Sequence, residues 1–331
     1  MQYLFVIILL FAGMLLYFKI ASKCNIIDKP NRRSSHDYIT IRGGGIVFWL
    51  AALIYSVQYI VESRYFFAGM MLVCGVSFWD DISSLPNRVR ITAHFLSISL
   101  IFYGLSLFTL FPWWLVVVAY VLFVGIMNAY NFMDGINGIT GLYSLAVLIP
   151  LQYVNHRLIS FTHPDFINYA ILACVVFLFF NLRKRAKCFA GDIGSLGLSF
   201  WIITLLLQLM IATQSLIWII FLAVYGIDAI YTILHRIYLK HNIFKAHRLH
   251  FYQILSNEKS MSHLTVSFGY ALTQFLICAV MIVTYQLYAW TIGIIIIGIL
   301  TIIYLLKFKI MKQNRASLLE NNRIDYGKNQ L

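Results

Sequence analysis

Residues 111–154, FPWWLVVVAYVLFVGIMNAYNFMDGINGITGLYSLAVLIPLQYV, decide the fold of this chain. Two apolar runs, 111–127 and 142–154, flank the segment NAYNFMDGINGITG (128–141), which holds three Asn, one Asp and three Gly. An ordinary solvated loop carries Lys, Arg and Ser, and this one has none of them. The flanks have the length and composition of bilayer-crossing helices, which need about 20 mainly apolar residues. Barrel strands would instead be short and alternate in polarity. The stretch therefore reads as two membrane helices joined by a polar, glycine-rich connection that has work to do.

The rest of the sequence repeats the pattern. The chain has 331 residues, of which 61% are hydrophobic and 11% charged, and its mean hydropathy is +0.81. A water-soluble protein of this length cannot cover that much apolar surface. Eleven candidate spans centre on residues 2–20, 43–61, 65–79, 91–109, 112–128, 139–155, 167–181, 193–213, 215–234, 264–284 and 289–307. The expected architecture is an all-α polytopic membrane bundle of about eleven transmembrane helices. It forms one integral-membrane domain over 1–310, followed by a polar cytosolic tail over 311–331. With the N-terminus outside and the C-terminus cytosolic, 23 of the 25 Lys and Arg fall on the cytosolic side, and only Arg64 and Arg157 do not. That asymmetry is the positive-inside signature. The first span lacks a basic leader and a small-residue cleavage site, so it reads as a retained helix. Five cysteines without C-x-x-C pairing suggest neither a disulfide framework nor a zinc site.

In that orientation eight of the twelve carboxylates, Asp28, Asp37, Asp80, Asp81, Asp134, Asp192, Asp228 and Glu258, gather at one interface. Ion-moving transporters tend to keep ionisable groups near the midplane. In SFWDDISSLP (77–86), Asp80 and Asp81 repel each other unless a cation or a proton relieves them. They read either as a solvated helix end or as a metal-binding or general-base pair. In FAGDIGSLG (189–197), Asp192 stands among glycines at a helix start, where free backbone N–H groups suit phosphate oxygens. Arg183, Lys184, Arg185 and Lys187 precede it and suit either lipid headgroups or substrate. The opening segment offers Asn128, Asn131, Asn137 and Asp134, with glycines that permit close backbone approach. In KAHRLHFYQ (245–253), His247 and His250 lie three apart, on one side of a helix or tight turn. DKPNRRSSHDYITIRGGGI (28–46) reads as an anion-binding loop or a headgroup anchor. Taken together, the five clusters describe a cytosolic-facing site for a phosphorylated compound and a lipid.

These clusters, in this order, resemble the polyprenyl-phosphate N-acetylhexosamine-1-phosphate transferases, over residues 26 to 255. The resemblance rests on RSSH…GGG, DD, NAYNFMDGINGITG, FAGDIGSLG and HRLH. It implies a helical membrane bundle with a cytosolic cleft. The implied reaction passes a sugar-1-phosphate from a UDP-N-acetylhexosamine to polyprenyl phosphate, releases UMP and uses Mg²⁺ or Mn²⁺. By residue, it implies that Asp80, with Asp81 beside it, deprotonates or orients the lipid phosphate, and that Asp192 ligates the metal. Asn128, Asn131, Asp134, Gly135 and Asn137 fall in the nucleotide region, and Phe189 lies against uracil. Asn181, His247 and His250 meet the donor's diphosphate or sugar, while His36 and Arg42 meet phosphate. Asn137 stands where the muramoyl branch has Asp, and HRLHFYQ is similar to the O-antigen and capsule branch. The implied setting is the inner (plasma) membrane, with a homodimer as the candidate assembly and no nucleic-acid partner. A membrane transporter of a phosphorylated compound is the alternative. A CDP-alcohol phosphotransferase is not expected, because the G-x-x-x-D-x-x-D pattern is absent.

Overall fold

The computed structural model describes residues 1–30, 38–242 and 248–328, with side chains placed through residue 311. The chain is all-α apart from one small hairpin. Helix α1 (Gln2–Lys23) leads to strands β1 (Ile27–Asp28) and β2 (Thr40–Ile41), which pair antiparallel. Then come α2 (Ile46–Gln58), α3 (Ile60–Ile82), α4 (Asn87–Gly104), a short α5 (Leu107–Leu110) and α6 (Trp113–Met133). Helices α7 (Ile139–Arg157), α8 (Pro164–Asn181) and α9 (Gly191–Thr213) follow. A 3₁₀ turn (Leu216–Leu222) runs into α10 (Ala223–Tyr238), followed by α11 (Phe251–Asn257), α12 (His263–Thr284) and α13 (Ala289–Lys328).

Eight of these segments are long and apolar enough to cross a membrane. The other expected spans are also helical, but α2 is shorter, and α4 and α7 carry more polar residues. The protein is therefore a multi-pass helical membrane protein. The tail expected from residue 311 begins inside a helix, since α13 continues unbroken past that point.

Local sequence explains the helix limits. Pro112 precedes α6, where its fixed φ and missing N–H cost nothing at a helix start. Gly138, at φ +84°, makes the left-handed turn that starts α7, a conformation most side chains resist. Where the 3₁₀ turn passes into α10, buried Gln274 bridges the irregular backbone. It accepts from Val224 N (3.0 Å) and donates to Ile220 O (3.2 Å). Inside lipid such groups have no water to turn to, so an internal partner is obligatory.

Helix α9 forms the axis of the bundle: 78% of its most apolar window is buried, against 22–28% for α1, α6 and α13. The peripheral helices turn large apolar side chains outward, among them Leu4, Leu16, Trp113, Val121, Ile294 and Ile302. In water such a belt would be an aggregation surface; in a bilayer it is the solvated face. Small residues let neighbours close on the axis. A Cβ on Gly197 would lie 2.7 Å from Cys74 Sγ, and one on Gly69 2.6 Å from the Phe200 ring. All five cysteines are free thiols.

Candidate active site

At one end of the bundle, the N-terminal end of α9 meets the RGGG segment through backbone contacts. Gly44 N and Gly45 N donate to Phe189 O (2.8 Å) and Ala190 O (3.0 Å), and Phe189 N donates to Ile41 O (2.9 Å). A Cβ on Gly45 would lie 2.0 Å from Gly194 Cα, so only glycine permits this approach. Gly44 and Gly45 thus bring the first loop, read from sequence as an anion-binding loop or a headgroup anchor, against α9.

The start of α9 differs from expectation. Its free N–H groups were expected to meet phosphate, but Asp81 takes two of them: Asp192 N and Ile193 N donate to its Oδ1 (2.9 Å) and Oδ2 (3.1 Å). Gly191, at φ +72°, lets the carboxylate come that close, since a Cβ there would lie 2.5 Å from Asp81 Oδ2. Asp81 therefore caps α9 from the end of α3, an interaction that suits a negative group at a helix N-terminus.

Arginine relieves the repulsion between Asp80 and Asp81. Arg42 Nε donates to Asp81 Oδ1 at 2.7 Å, and Arg42 Nη2 lies 3.7 Å from Asp192 Oδ1. Arg90 spans Asp80 Oδ2 (3.3 Å) and Asp192 Oδ2 (3.4 Å). Asp80 also accepts from Leu85 N at 2.6 Å, which closes the turn after α3. Asn131, on the last turn of α6, donates to Asp192 Oδ1 and Ser195 Oγ, each at 3.0 Å. Asp80, Asp81 and Asp192 thus share one ionic network with Arg42, Arg90 and Asn131.

Beside this network lies a cavity of about 280 Å³. Among the expected residues, Arg42, Asn131, Asp134, Gly135, Asn137, Asn181, Phe189 and Asp192 line it. Asp80, Asp81, Asn128 and His250 do not. Asn128 instead donates to Val124 O within its own helix, at 2.8 Å. Asn137 and Asn181 also hold the walls in place. Asn137 Nδ2 donates to Arg183 O (2.8 Å), while Asn181 accepts from Gly138 N (2.6 Å) and donates to Cys188 O (2.8 Å). Thr140 donates to Asp134 Oδ1 at 2.6 Å.

His250 is 1% exposed and is the N-cap of α11, in a capping box with Gln253. Among the described residues of that segment Gln253 lines the cavity, as does His263 of α12. His36 and His247 lie outside the described residues.

Sequence reading missed Arg90 and His263 as members of this region, and it held Thr140, Ser195 and Gln253 within its clusters without giving them a role. Arg90 left a signal, as a cation in the first turn after the Pro86 break that follows the Asp pair.

Electrostatics outside the spans follow from this packing. Burial alone would lower the Arg42 pKa, but Asp81, Asp192 and Asp28 outweigh it and hold the guanidinium above its ordinary value. Burial pushes the Asp134 carboxyl up to about 6; Asp192 adds to the shift and the Thr140 hydrogen bond opposes it.

No group of three or more His, Cys, Asp or Glu side chains could hold a metal among the described residues. What the network offers is hard oxygen: the Asp192 and Asp80 carboxylates and the Asn131 amide. Mg²⁺ is commonly held by one or two carboxylates together with substrate phosphates, so this donor set fits that ion.

Comparison with known proteins agrees with the site. The model of the family described as "Glycosyl transferase family 4" matches residues 63–210, which include the Asp pair, the 128–141 loop and Asp192. A probable undecaprenyl-phosphate N-acetylglucosaminyl 1-phosphate transferase of Bacillus subtilis (strain 168) is 29% identical over 264 residues, covering 72% of this chain and 71% of its own. An undecaprenyl-phosphate alpha-N-acetylglucosaminyl 1-phosphate transferase of Escherichia coli O157:H7 is 27% identical, covering 61% and 60%. A phospho-N-acetylmuramoyl-pentapeptide-transferase of Petrotoga mobilis is 28% identical, covering 47% of this chain and 56% of its own. For the latter two the chain therefore spans less than two thirds of the relative's length. With the ordered motifs and the site they build, these matches make the chain similar to glycosyl transferase family 4 over residues 63–210, a little under half of its length.

Proposed function

We propose that the protein transfers an N-acetylhexosamine-1-phosphate from a UDP-sugar to a polyprenyl phosphate such as undecaprenyl phosphate, releasing UMP. The observation that carries this reading is the joining of Asp80, Asp192 and Asn131 through Arg90 and direct hydrogen bonds, beside a polar cavity at one end of a membrane bundle. A lipid phosphate and a soluble nucleotide meet only at such an interface. In the reaction, an oxygen of the acceptor phosphate forms a bond to the donor's β-phosphorus. The bond from that phosphorus to the bridging oxygen breaks, and UMP carries that oxygen away.

Each residue has a task in this scheme. Arg42 and Arg90 bring positive charge to two mutually repelling phosphates, and holding the reactants in line supplies much of the rate. Asp80 orients the acceptor phosphate, while Asp81 keeps the start of α9 where Asp192 must stand. Asp192, with Asp80 beside it, would hold Mg²⁺, which stabilises charge on a diphosphate and its leaving group when bound. Phe189 offers a ring for the base, and Asn131, Asp134 and Gly135 line the nucleotide side. Attack is direct in this reading, since a phosphate dianion is already nucleophilic. The site faces the cytosol, on the side that 23 of the 25 Lys and Arg assign.

The test is to incubate membranes holding the full chain with a panel of UDP-N-acetylhexosamines and undecaprenyl phosphate. A lipid-linked sugar that forms with Mg²⁺ and is lost with EDTA is expected. Failure with every sugar in the panel, in membranes holding folded protein, would contradict the reading.

A further inference from the structure

Asp228, on α10, is a buried carboxylate that does not line the cavity. Its oxygens accept from Phe251 N (2.9 Å), Tyr252 N (3.4 Å), Tyr270 OH (2.7 Å) and Thr232 Oγ1 (3.2 Å), and Oδ1 lies 3.3 Å from His250 Nδ1. The two amides are the first of α11, so Asp228 caps that helix from a neighbouring one. Helix starts leave N–H groups without intrahelical partners, and a buried carboxylate that receives them fixes where the helix begins. Thr232 in turn shares a hydrogen bond with Tyr304 OH of α13 (2.9 Å), which ties the anchor to the last helix.

From α11 the contact reaches the candidate site. Tyr252 is fully buried, and its hydroxyl donates to Phe132 O at 2.9 Å. Its phenol end also packs on Gly135, where a Cβ would lie 2.2 Å from the hydroxyl oxygen. Phe132, on the last turn of α6 with Asn131, and Gly135 bracket Asp134, and Asn137 follows in the same connection. A continuous path therefore runs from Asp228 through the start of α11 and the Tyr252 phenol to the loop lining the cavity.

We propose that Asp228 and Tyr252 are positioning residues for the nucleotide side of the site. Asp228 anchors α11, and Tyr252 carries that position to the end of α6 and the loop after it, which hold Asn131 and Asp134. The kinetic consequence rests on the transferase reading above; the mechanical one does not. A loosened loop weakens donor binding and leaves the acceptor side, built on Asp80 and Arg90, unchanged.

The test uses purified full-length protein with Tyr252→Phe, Asp228→Asn and both together. Hydrogen exchange is followed without substrate, alongside KM for UDP-N-acetylglucosamine and for undecaprenyl phosphate. Tyr252→Phe is expected to speed exchange over 132–139 and to raise the donor KM about tenfold, the order of a lost buried hydrogen bond. The acceptor KM is expected to stay within about twofold, since one path carries the whole effect. Asp228→Asn is expected to speed exchange over both 251–257 and 132–139, and the double variant to add little to it. Faster exchange confined to 251–257, equal rises in both KM values, or multiplying effects in the double variant would overturn the proposal. If Asp228→Asn does not fold, Tyr270→Phe removes one of its donors and is expected to act in the same direction, more weakly; an unchanged 132–139 segment in that variant counts against the proposal. Wild-type protein that transfers no sugar would refute the transferase reading, while exchange still decides the positioning path.

Discussion

Asp165 and Asp192 both begin a long helix, yet their surroundings differ in kind. Asp165, in the first turn of α8, accepts from Tyr3 OH (2.7 Å), Tyr59 OH (2.7 Å) and Gln2 Nε2 (3.2 Å). Those donors are uncharged, and they come from the start of α1 (Gln2 and Tyr3) and from the α2–α3 junction (Tyr59). Asp192, in the first turn of α9, is approached by Arg42, Arg90 and Asn131 and lines the cavity. A carboxylate surrounded by short bonds from uncharged donors acts as a pin: it holds the ends of α1, α3 and α8 together. One shared among arginines at a cavity wall can change partners when another charge arrives. The contrast teaches that helix-start acids in this protein are told apart by their donors rather than by position.

Substitution at both sites sharpens the contrast, and the largest effect is expected at Asp192. Asp192→Asn should lower turnover by about 100-fold or more, since losing a metal's charge stabilisation is worth several kcal/mol of barrier. Raising Mg²⁺ should restore little, and near-normal turnover at low Mg²⁺ would remove Asp192 from the chemistry. Asp165→Asn should do the reverse. It leaves partly buried hydroxyl donors mismatched, so stability should fall by about 1–3 kcal/mol in a thermal or denaturant melt, with both KM values unchanged. A loss of turnover without a loss of stability would break the distinction.

The smallest effect concerns pH. With its pKa raised by burial to about 6, Asp134 binds its proton more tightly in the folded chain than in the unfolded one, where a carboxyl titrates near 3.9. Its contribution to stability is thus fully present below about pH 4 and is lost as pH rises through about 6. Because the group borders an open cavity, the change should amount to no more than about 2 kcal/mol. Melts of wild type and Asp134→Asn between pH 4 and 7 check it: the slope should flatten in the variant, and an unchanged slope would assign it elsewhere.

How much of this was legible in the sequence depends on whether a residue acts through its own chemistry or through its neighbours. The helical membrane class followed from run length, and Asp192, Asn131 and Asp134 stood out as polar groups among apolar ones. Glycine roles were harder to read. The triple glycine reads in sequence only as the end of a basic, hydroxyl-rich loop, and Gly45 is there because Gly194 Cα comes too near for any Cβ. Asp81 looks like a catalytic group and His250 like a substrate contact, and both serve as helix caps, since capping depends on which helix ends meet in space. Asp228 gave no sign of its role, because its main donors, Phe251 N, Tyr252 N and Tyr270 OH, lie on the next two helices, 23 to 42 residues away along the chain.

The most direct test of the account follows the donor's β-phosphorus. Purified protein is given UDP-N-acetylhexosamine labelled at that atom, undecaprenyl phosphate and Mg²⁺, and the label is traced after one turnover. Sugar-1-phosphate transfer predicts label in the lipid product and equimolar unlabelled UMP. Label left in released UDP, with an unlabelled sugar on the lipid, would mean that the sugar moves without its phosphate and would contradict the account.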